Sequence, residues 1–250
     1  MPISKTIDLN ADLGEGCGDD AAMLGIVSSV NIACGAHAGD EQTMHETVRA
    51  ATLNDVTIGA HVSYPDRANF GRQDMDLPPG TLAAEITRQI RVLDTIARET
   101  GARVRYVKAH GALYNRMVDD AEVADQVLSA LRRVNPALGI LTLAGSLAAQ
   151  RAQATGIAVF TEAFADRAYT KTGRLLARSQ AGAVITDPRQ VAERAVDMAV
   201  TGRVRSVTGE SLPVRAQSLC VHGDTPGAVM LARAVREALE RAGARIAPFA

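Results

Sequence analysis

The segment TIDLNAD (residues 6–12) alternates strictly between apolar and polar side chains, which is the period of a β-strand with two different faces. Its apolar positions are Ile7, Leu9 and Ala11, and its polar positions are Asp8, Asn10 and Asp12. In an open sheet covered by helices on both sides, both sets would be apolar. Here one face suits packing against helices, while the other needs polar partners or water. The segment therefore predicts a strand of a closed barrel with a polar interior.

Three later segments show the same alternation. In residues 57–62, 106–110 and 217–222, apolar side chains fill one face of each predicted strand. The opposite faces carry small or polar residues, namely Thr57, Gly59, His61, Tyr106, Lys108, His110, Ser218, Cys220 and His222. A lysine that points into a barrel requires a charged partner, because burying an ammonium group without one costs a large free energy of desolvation. These segments extend the prediction from one strand to the whole barrel.

Short β-like segments and longer amphipathic segments alternate along the chain, which is typical of a parallel sheet. The seven predicted strands are 6–10, 29–33, 57–60, 106–109, 139–143, 158–162 and 217–221. Apolar stripes of helical period lie between them, and the predicted N-caps are Thr81, Asp119, Asp187 and Thr225. Residues 203–214 break the alternation and predict a small β excursion. We expect one β/α-barrel domain over residues 1–250.

Composition excludes several classes of protein. The 250 residues are 47% hydrophobic and 22% charged, with a net charge of −1, which is ordinary for a globular protein. Without a basic block, and with only 3% aromatic residues, the chain predicts neither nucleic-acid binding nor membrane association. The start of the sequence lacks the apolar core of a signal peptide, and three cysteines without metal spacing favour a reduced, cytoplasmic setting. Whether the chain forms a homo-oligomer is left open.

Four of the five histidines lie just past predicted strands. These are His37, His61, His110 and His222. Because the carboxyl ends of neighbouring parallel strands meet at one end of a barrel, we expect the four imidazoles to converge there. Imidazoles suit general base or metal-ligand chemistry. The fifth, His45, falls within a predicted helix and is interpreted as structural.

Other charged and polar residues occupy the same strand ends. Asp12 and Glu15 follow the first strand, and closely spaced carboxylates suit acid–base chemistry or a hard cation, or else a solvated turn. Arginines after the third strand, Arg67 and Arg72, suit recognition of a carboxylate or phosphate. Glu162, Asp166 and Arg167 follow the sixth strand, although the last two could form a surface ion pair. Asp224, after the last strand, could merely support a turn. Cys34 is expected to pack in the core.

Six motifs occur in order along the chain, and together they resemble the LamB/YcsF family. They are DLNADLGEG (8–16), NIACGAHAGD (31–40), GAHVSYPDR (59–67), VKAHGALYN (107–115), EAFADRAY (162–169) and CVHGDTPGA (220–228). The resemblance implies an irregular seven-stranded β/α barrel similar to the glycoside hydrolase/deacetylase superfamily. It also implies cleavage of the lactam of 5-oxo-L-proline to L-glutamate, coupled to hydrolysis of ATP with Mg²⁺, with partner subunits B and C. No GxxxxGK[ST] loop is present, so the partner subunits are expected to contribute to the ATP-dependent step.

For that reaction, we expect four residues at inward-facing or strand-end positions to be catalytic. Asp12 and His61 are candidate bases for water, and Lys108 and His110 would stabilise negative charge or protonate the ring nitrogen. Candidate substrate-binding residues are Asn10, Glu15, His37, Arg67, Glu162, Arg167, His222 and Asp224.

Two alternatives remain open from the sequence. In a metal-dependent amidohydrolase or deacetylase, Asp12, His37 and His61 would bind a divalent ion that activates water. The lack of a close histidine pair such as HxxxH weakens that alternative. In the second alternative, the chain is a binding or scaffold subunit that delivers the substrate and does no chemistry. Substitutions in the site would then change only the affinity for the substrate.

Overall fold

Seven parallel strands close into a barrel in the computed structural model, which describes residues 6–78 and 80–250. The barrel strands are β1 (Thr6–Leu13), β2 (Ser29–Ala33), β3 (Thr57–Val62), β4 (Val104–Ala109), β5 (Gly139–Leu143), β6 (Val159–Phe164) and β9 (Ser218–Cys220). Each strand pairs with the next in this order, and β9 pairs with both β6 and β1. The predicted closed α/β barrel is therefore confirmed. Strands β1, β3 and β6 run two or more residues further than predicted, because their ends still pair with neighbouring strands of the barrel.

Eight helices accompany the strands within the described residues. They are α1 (Asp20–Leu24), α2 (Glu41–Leu53), α3 (Thr81–Glu99), α4 (Gly111–Asp119), α5 (Ala121–Val134), α6 (Leu147–Ala154), α7 (Pro188–Thr201) and α8 (Ala228–Arg241). The longer helices bury one apolar stripe each against the outer face of the barrel, as in α3, where Ile86, Ile90, Leu93 and Ala97 are buried. None of the helices in this part of the chain is long and apolar enough to cross a membrane.

Only one of the four predicted N-caps is confirmed. The Asp187 carboxylate accepts the Arg189 amide at the start of α7. Asp119 is instead the last residue of α4, and its neighbour Asp120 caps α5. Thr81 is the first residue inside α3, and the N-cap of α3 is a glycine in the left-handed conformation. The N-cap of α8 is also a left-handed glycine, so α8 begins three residues after Thr225. In these two cases the backbone turn, rather than a side-chain acceptor, fixes where the helix begins.

Three segments depart from the simple strand–helix alternation. The predicted excursion is an antiparallel hairpin of β7 (Arg203–Arg205) and β8 (Ser211–Pro213). A short strand that the sequence does not predict, β10 (Arg245–Ile246), pairs with the start of β1. The third segment is the long connection 165–187 after β6, which contains isolated bridges but no strand or helix. This connection passes over the carboxyl end of the barrel and contributes to the site described below.

The barrel interior is polar, as the alternation predicts. At the amino end, Asp8 accepts hydrogen bonds from the hydroxyls of Ser28, Ser29 and Ser218. Burial raises the pKa of Asp8 to about 6, although the three hydroxyls oppose the shift. Phe249 packs edge-on against the buried Tyr106 ring nearby, with ring centroids 4.8 Å apart. The cavity described below lies at the opposite, carboxyl end of the barrel.

Gly59 provides the space for Tyr106, which predicts a steric test of the barrel. A Cβ at Gly59 would lie 2.3 Å from the Tyr106 ring, so Gly59→Ala should lower the free energy of unfolding by about 1–3 kcal/mol. Gly25→Ala is the matched control, because Gly25 has φ −75° and its nearest neighbour would be 3.5 Å away. Urea titration measures both. Equal stability losses in the two variants would contradict this packing.

Candidate functional site

A cavity of about 410 Å³ opens at the carboxyl end of the barrel. Its charged and polar lining comprises Asp12, His61, Arg72, Lys108, His110, Tyr114, Asn115, Arg167, Arg178, Ser179 and His222. Phe164 and residues 175–177 supply apolar contacts. The volume suits a small molecule, and the position agrees with the general rule that β/α barrels carry their sites at this end.

Lys108 lies at the base of the cavity and joins two carboxylates. Its Nζ is 3.0 Å from Asp12 Oδ1 and 3.1 Å from Glu162 Oε2, and all three side chains are buried. Burial alone would raise the pKa of Asp12, but His61 and the Lys108 ammonium hold it well below its usual range. Burial raises the pKa of Glu162, against the effect of Lys108. Asp12 is therefore the ionised carboxylate that faces the cavity.

Three histidines and one glutamate form a buried cluster beside Asp12. His37, His61 and His110 come from three different strand ends, and their ring nitrogens surround Glu15 Oε1 at 3.1, 3.8 and 3.5 Å. The rings of His37 and His110 stack with centroids 3.9 Å apart. Burial lowers the pKa of His37 to about 2 and that of His110 well below its usual value, so both imidazoles are neutral. Burial and the Asp12 charge raise the pKa of Glu15.

Close glycine contacts hold the loops that carry this cluster. Gly39 has φ 72°, and a Cβ there would lie 2.6 Å from the Gly14 carbonyl oxygen. Gly71 has φ 64°, and a Cβ added there would lie 2.9 Å from atoms of both His37 and His110. The glycines therefore let the loops after β1, β2 and β3 approach one another closely enough for their side chains to meet.

His222 is paired with Asp166 on the other side of the cavity. Its Nδ1 is 2.8 Å from Asp166 Oδ2, and its backbone amide donates to the same carboxylate. Burial opposes ionisation, but His222 lowers the pKa of Asp166 below its usual value. The alternative of a surface ion pair between Asp166 and Arg167 is wrong, because both side chains are buried and Asp166 bonds to the neighbouring strand end.

Three arginines line the cavity, but Arg67 is not among them. Arg67 instead donates to the backbone carbonyl of Gly39, at 2.6 Å. Arg72 and Arg178 both contact Asp224. Arg167 is buried, donates to backbone carbonyls of the 165–187 connection, and forms no ion pair with a carboxylate among the residues that the structure describes. Burial, together with the neighbouring Arg178 charge, lowers the pKa of Arg167 to about 10.

The structure thus brings most of the sequence-derived candidates together. Those close to the cavity are Asp12, Glu15, His37, His61, Lys108, His110, Glu162, Arg167, His222 and Asp224. Asn10 is deeper in the barrel, bonded to Ser218 and Asn31, and Cys34 is buried in the core as expected. The sequence pattern does not identify Arg178 and Ser179 or the true partner of Asp166, because these residues owe their positions to tertiary contacts of a long connection. The absence of a local histidine pair is also misleading, since the histidines meet only in three dimensions.

Known proteins resemble this chain in sequence and in fold. The family model described as "LamB/YcsF family" matches residues 7–250. A relative from Streptomyces avermitilis, named as the A subunit of 5-oxoprolinase, is 53% identical, over 98% of this chain and 100% of its own length. The crystal structure of a lactam utilization protein from Thermus thermophilus superposes with a TM-score of 0.92 at 40% identity, covering 98% of this chain and 100% of that one.

A more distant structural neighbour confirms the architecture alone. The polysaccharide deacetylase Bc1974 from Bacillus cereus superposes with a TM-score of 0.51 at 12% identity, over 98% of this chain and 92% of that protein. The resemblance of the fold to the deacetylase barrels is therefore confirmed, without implying a shared substrate.

Lys108 provides a test of the buried charge network. Lys108→Met leaves Asp12 and Glu162 without their cation, so the free energy of unfolding at pH 8 should fall by about 3–5 kcal/mol. Without the ammonium, the pKa values of both carboxyls in the folded protein rise above their unfolded values. Stability should therefore be regained as the pH falls towards 5, where protonation neutralises them. Urea titrations at both pH values measure the effect.

The exposed Lys171 offers the control, since Lys171→Met should change stability by less than about 0.5 kcal/mol. A loss in Lys108→Met that is the same at pH 5 and pH 8 would show that packing, rather than charge, is responsible.

Proposed function

The chain belongs to the LamB/YcsF family, and from this membership we propose that it hydrolyses the lactam of 5-oxo-L-proline to L-glutamate in an ATP-dependent complex with two partner subunits, B and C. The observation that carries the proposal is full-length similarity, at 53% identity, to a relative named as the A subunit of 5-oxoprolinase. The name of the Thermus thermophilus structure, a lactam utilization protein, supports the same substrate class.

The cavity offers what such a substrate needs. 5-Oxo-L-proline carries one carboxylate, and Arg167 is a buried cavity-lining cation without a carboxylate partner in the described chain. Arg178 lies beside it on the same connection, so the two guanidiniums make this side of the cavity suitable for an anion. A substrate carboxylate bound there would leave its ring directed towards Asp12, Lys108 and the histidines.

In the proposed reaction, a phosphoryl group from ATP is transferred to the lactam oxygen, which activates the ring carbon. Water then attacks that carbon, with Asp12 or His61 accepting its proton. Lys108 or His110 stabilises the negative charge, and the proton taken from water passes to the ring nitrogen as the carbon–nitrogen bond breaks. The resulting acyl phosphate reacts with a second water to give L-glutamate and phosphate. The ATP-dependent step is assigned to the complex, because this chain has no GxxxxGK[ST] loop.

A second candidate, a metal-dependent amidohydrolase that needs no ATP, is favoured by one observation. The cluster of Glu15, His37, His61 and His110 is a set of donors that could hold a metal ion. This candidate predicts hydrolysis of simple amides by the chain alone, and the activity would be lost on treatment with a chelator.

The direct experiment measures L-glutamate released from 5-oxo-L-proline by the chain alone and by the chain with subunits B and C, with and without ATP. We expect release only from the complex and only with ATP. Asp12→Asn should lower kcat by at least about 100-fold with little change in KM, as expected for a group that acts in the transition state. ATP-independent release by the isolated chain would refute the proposal. A change in KM alone in Asp12→Asn would indicate a component that only binds the substrate.

Arg167 is tested separately as the anchor for the substrate carboxylate. Arg167→Gln should raise KM for 5-oxo-L-proline by about 10-fold or more, because it removes a charge-assisted hydrogen bond worth about 1.5–3 kcal/mol. Arg174→Gln is the matched control on the same connection, since Arg174 pairs with Asp119 at the surface and does not line the cavity. If both substitutions changed KM equally, the connection as a whole, rather than Arg167, would be responsible.

A further inference from the structure

The hydrogen bonds of three histidines determine which of their ring nitrogens carry protons. His110 Nε2 is 2.9 Å from the Phe70 carbonyl oxygen, and His61 Nδ1 is 3.3 Å from that of Lys108. His37 Nδ1 is 3.0 Å from Ser63 Oγ, whose own hydrogen goes to the Tyr64 carbonyl at 2.8 Å. All three partners can therefore only accept at these contacts. Each histidine uses its single N–H there, which leaves its other nitrogen as a bare acceptor.

The three bare nitrogens converge on one another and on a carboxylate. His61 Nε2 and His110 Nδ1 are 2.9 Å apart, and His37 Nε2 is 3.1 Å from Glu15 Oε1. Two acceptors at such distances repel each other unless something positive lies between them. Reversing the tautomer of His61 does not help, because its Nδ1 would then face the Lys108 carbonyl without a hydrogen. One added proton would bridge only one of these contacts, whereas a central cation would satisfy all four groups.

We propose that Glu15, His37, His61 and His110 bind a divalent transition-metal ion of the zinc type. The donor atoms all lie within 4.8 Å of one another, and the four separations given above run from 2.9 to 3.8 Å. A tetrahedral ion with bonds of about 2.0–2.1 Å places its ligands roughly 3.3–3.4 Å apart, in the middle of this range. Three imidazoles and one carboxylate suit zinc, cobalt or nickel, whereas Mg²⁺ prefers oxygen donors and octahedral geometry.

The groups around the cluster are those expected of a metal site. Metal-binding histidines usually donate their other N–H to a carbonyl or another fixed acceptor, and each of the three histidines does so here. This assignment differs from the set Asp12, His37 and His61 expected from the sequence. Asp12 Oδ1 accepts from Lys108 Nζ and Asn31 Nδ2, and Asp12 Oδ2 lies 3.4 Å from His61 Nε2. The donor atoms that all lie within 4.8 Å of one another are nevertheless those of Glu15 and the three histidines, so Glu15 and His110 take the place of Asp12 around the ion.

The site goes beyond the proposed function and is separate from the magnesium that accompanies ATP. His61 and His110 also line the cavity, so the ion would lie at its wall, beside Asp12. There, a tetrahedral ion with all four positions taken by protein ligands would hold His61 and His110 in place and leave the proton transfer to Asp12 and the stabilisation of charge to Lys108. The proposal does not depend on which amide is the substrate.

Metal binding by the purified full-length chain tests the proposal without any assay of activity. Chelator-treated protein is titrated with Zn²⁺ and Co²⁺, and bound metal is counted by mass spectrometry. We expect one ion per chain, a rise in Tm on binding, and visible absorption bands of tetrahedral Co²⁺. Wild-type chain that binds neither ion stoichiometrically would overturn the proposal in favour of a cluster held by protons.

Three variants locate the site. His37→Ala should weaken binding by more than about 100-fold, and Ser63→Ala, which removes the acceptor of the His37 N–H, by about 10–100-fold. His45→Ala is the control, since His45 lies on α2 and outside the cluster, and it should bind like the wild type. Equal losses in His37→Ala and His45→Ala, with both variants folded by circular dichroism, would also overturn the proposal. Because metal content is the readout, this result stands whether or not the complex releases glutamate from 5-oxo-L-proline.

Discussion

The bridge from the Lys108 ammonium to Asp12 and Glu162 is the interaction on which the site depends. It joins β1, β4 and β6 through the centre of the barrel, and all three groups are removed from water. Desolvating three charges is unfavourable, and their mutual attraction offsets that cost only while every member is present. The barrel therefore gains little net stability from the bridge, but it gains a fixed position for each carboxylate. A hydrophobic triad of similar volume would pack, yet it would not place an ionised Asp12 at the base of the cavity.

This fixed charge organises the neighbouring groups. Burial and the Asp12 carboxylate together raise the pKa of Glu15, while burial keeps His37 and His110 neutral. Acceptor atoms therefore dominate one side of the cavity, and guanidiniums dominate the side formed by the 165–187 connection. Groups oriented before the substrate arrives need no reorganisation during the reaction, which is the main source of electrostatic stabilisation in enzymes.

The site residues that could be predicted from sequence are those that belong to the two-residue alternation of a β-strand. Lys108 and His110 fall two residues apart on one strand and at its end, so a single alternation pattern places both on the inner side. For Asp166 the sequence is misleading, because its chain neighbour Arg167 suggests a local ion pair. Its real partner, His222, is 56 residues away and adjacent only because β6 pairs with β9. Likewise, the start of α8 depends on a left-handed glycine turn rather than on the capping residue Thr225.

The same reasoning explains why local spacing does not reveal the proposed metal site. Metal-binding motifs recognised from sequence place two ligands on one helix or loop, where their distance in the chain fixes their distance in space. A closed barrel places ligands differently, because every strand ends near every other strand at the same rim. His37, His61 and His110 each contribute one nitrogen from a separate strand end, and Glu15 joins them from the loop after β1. The signal for such a site is the recurrence of one residue type after successive strands, together with a fixed acceptor for each second ring nitrogen.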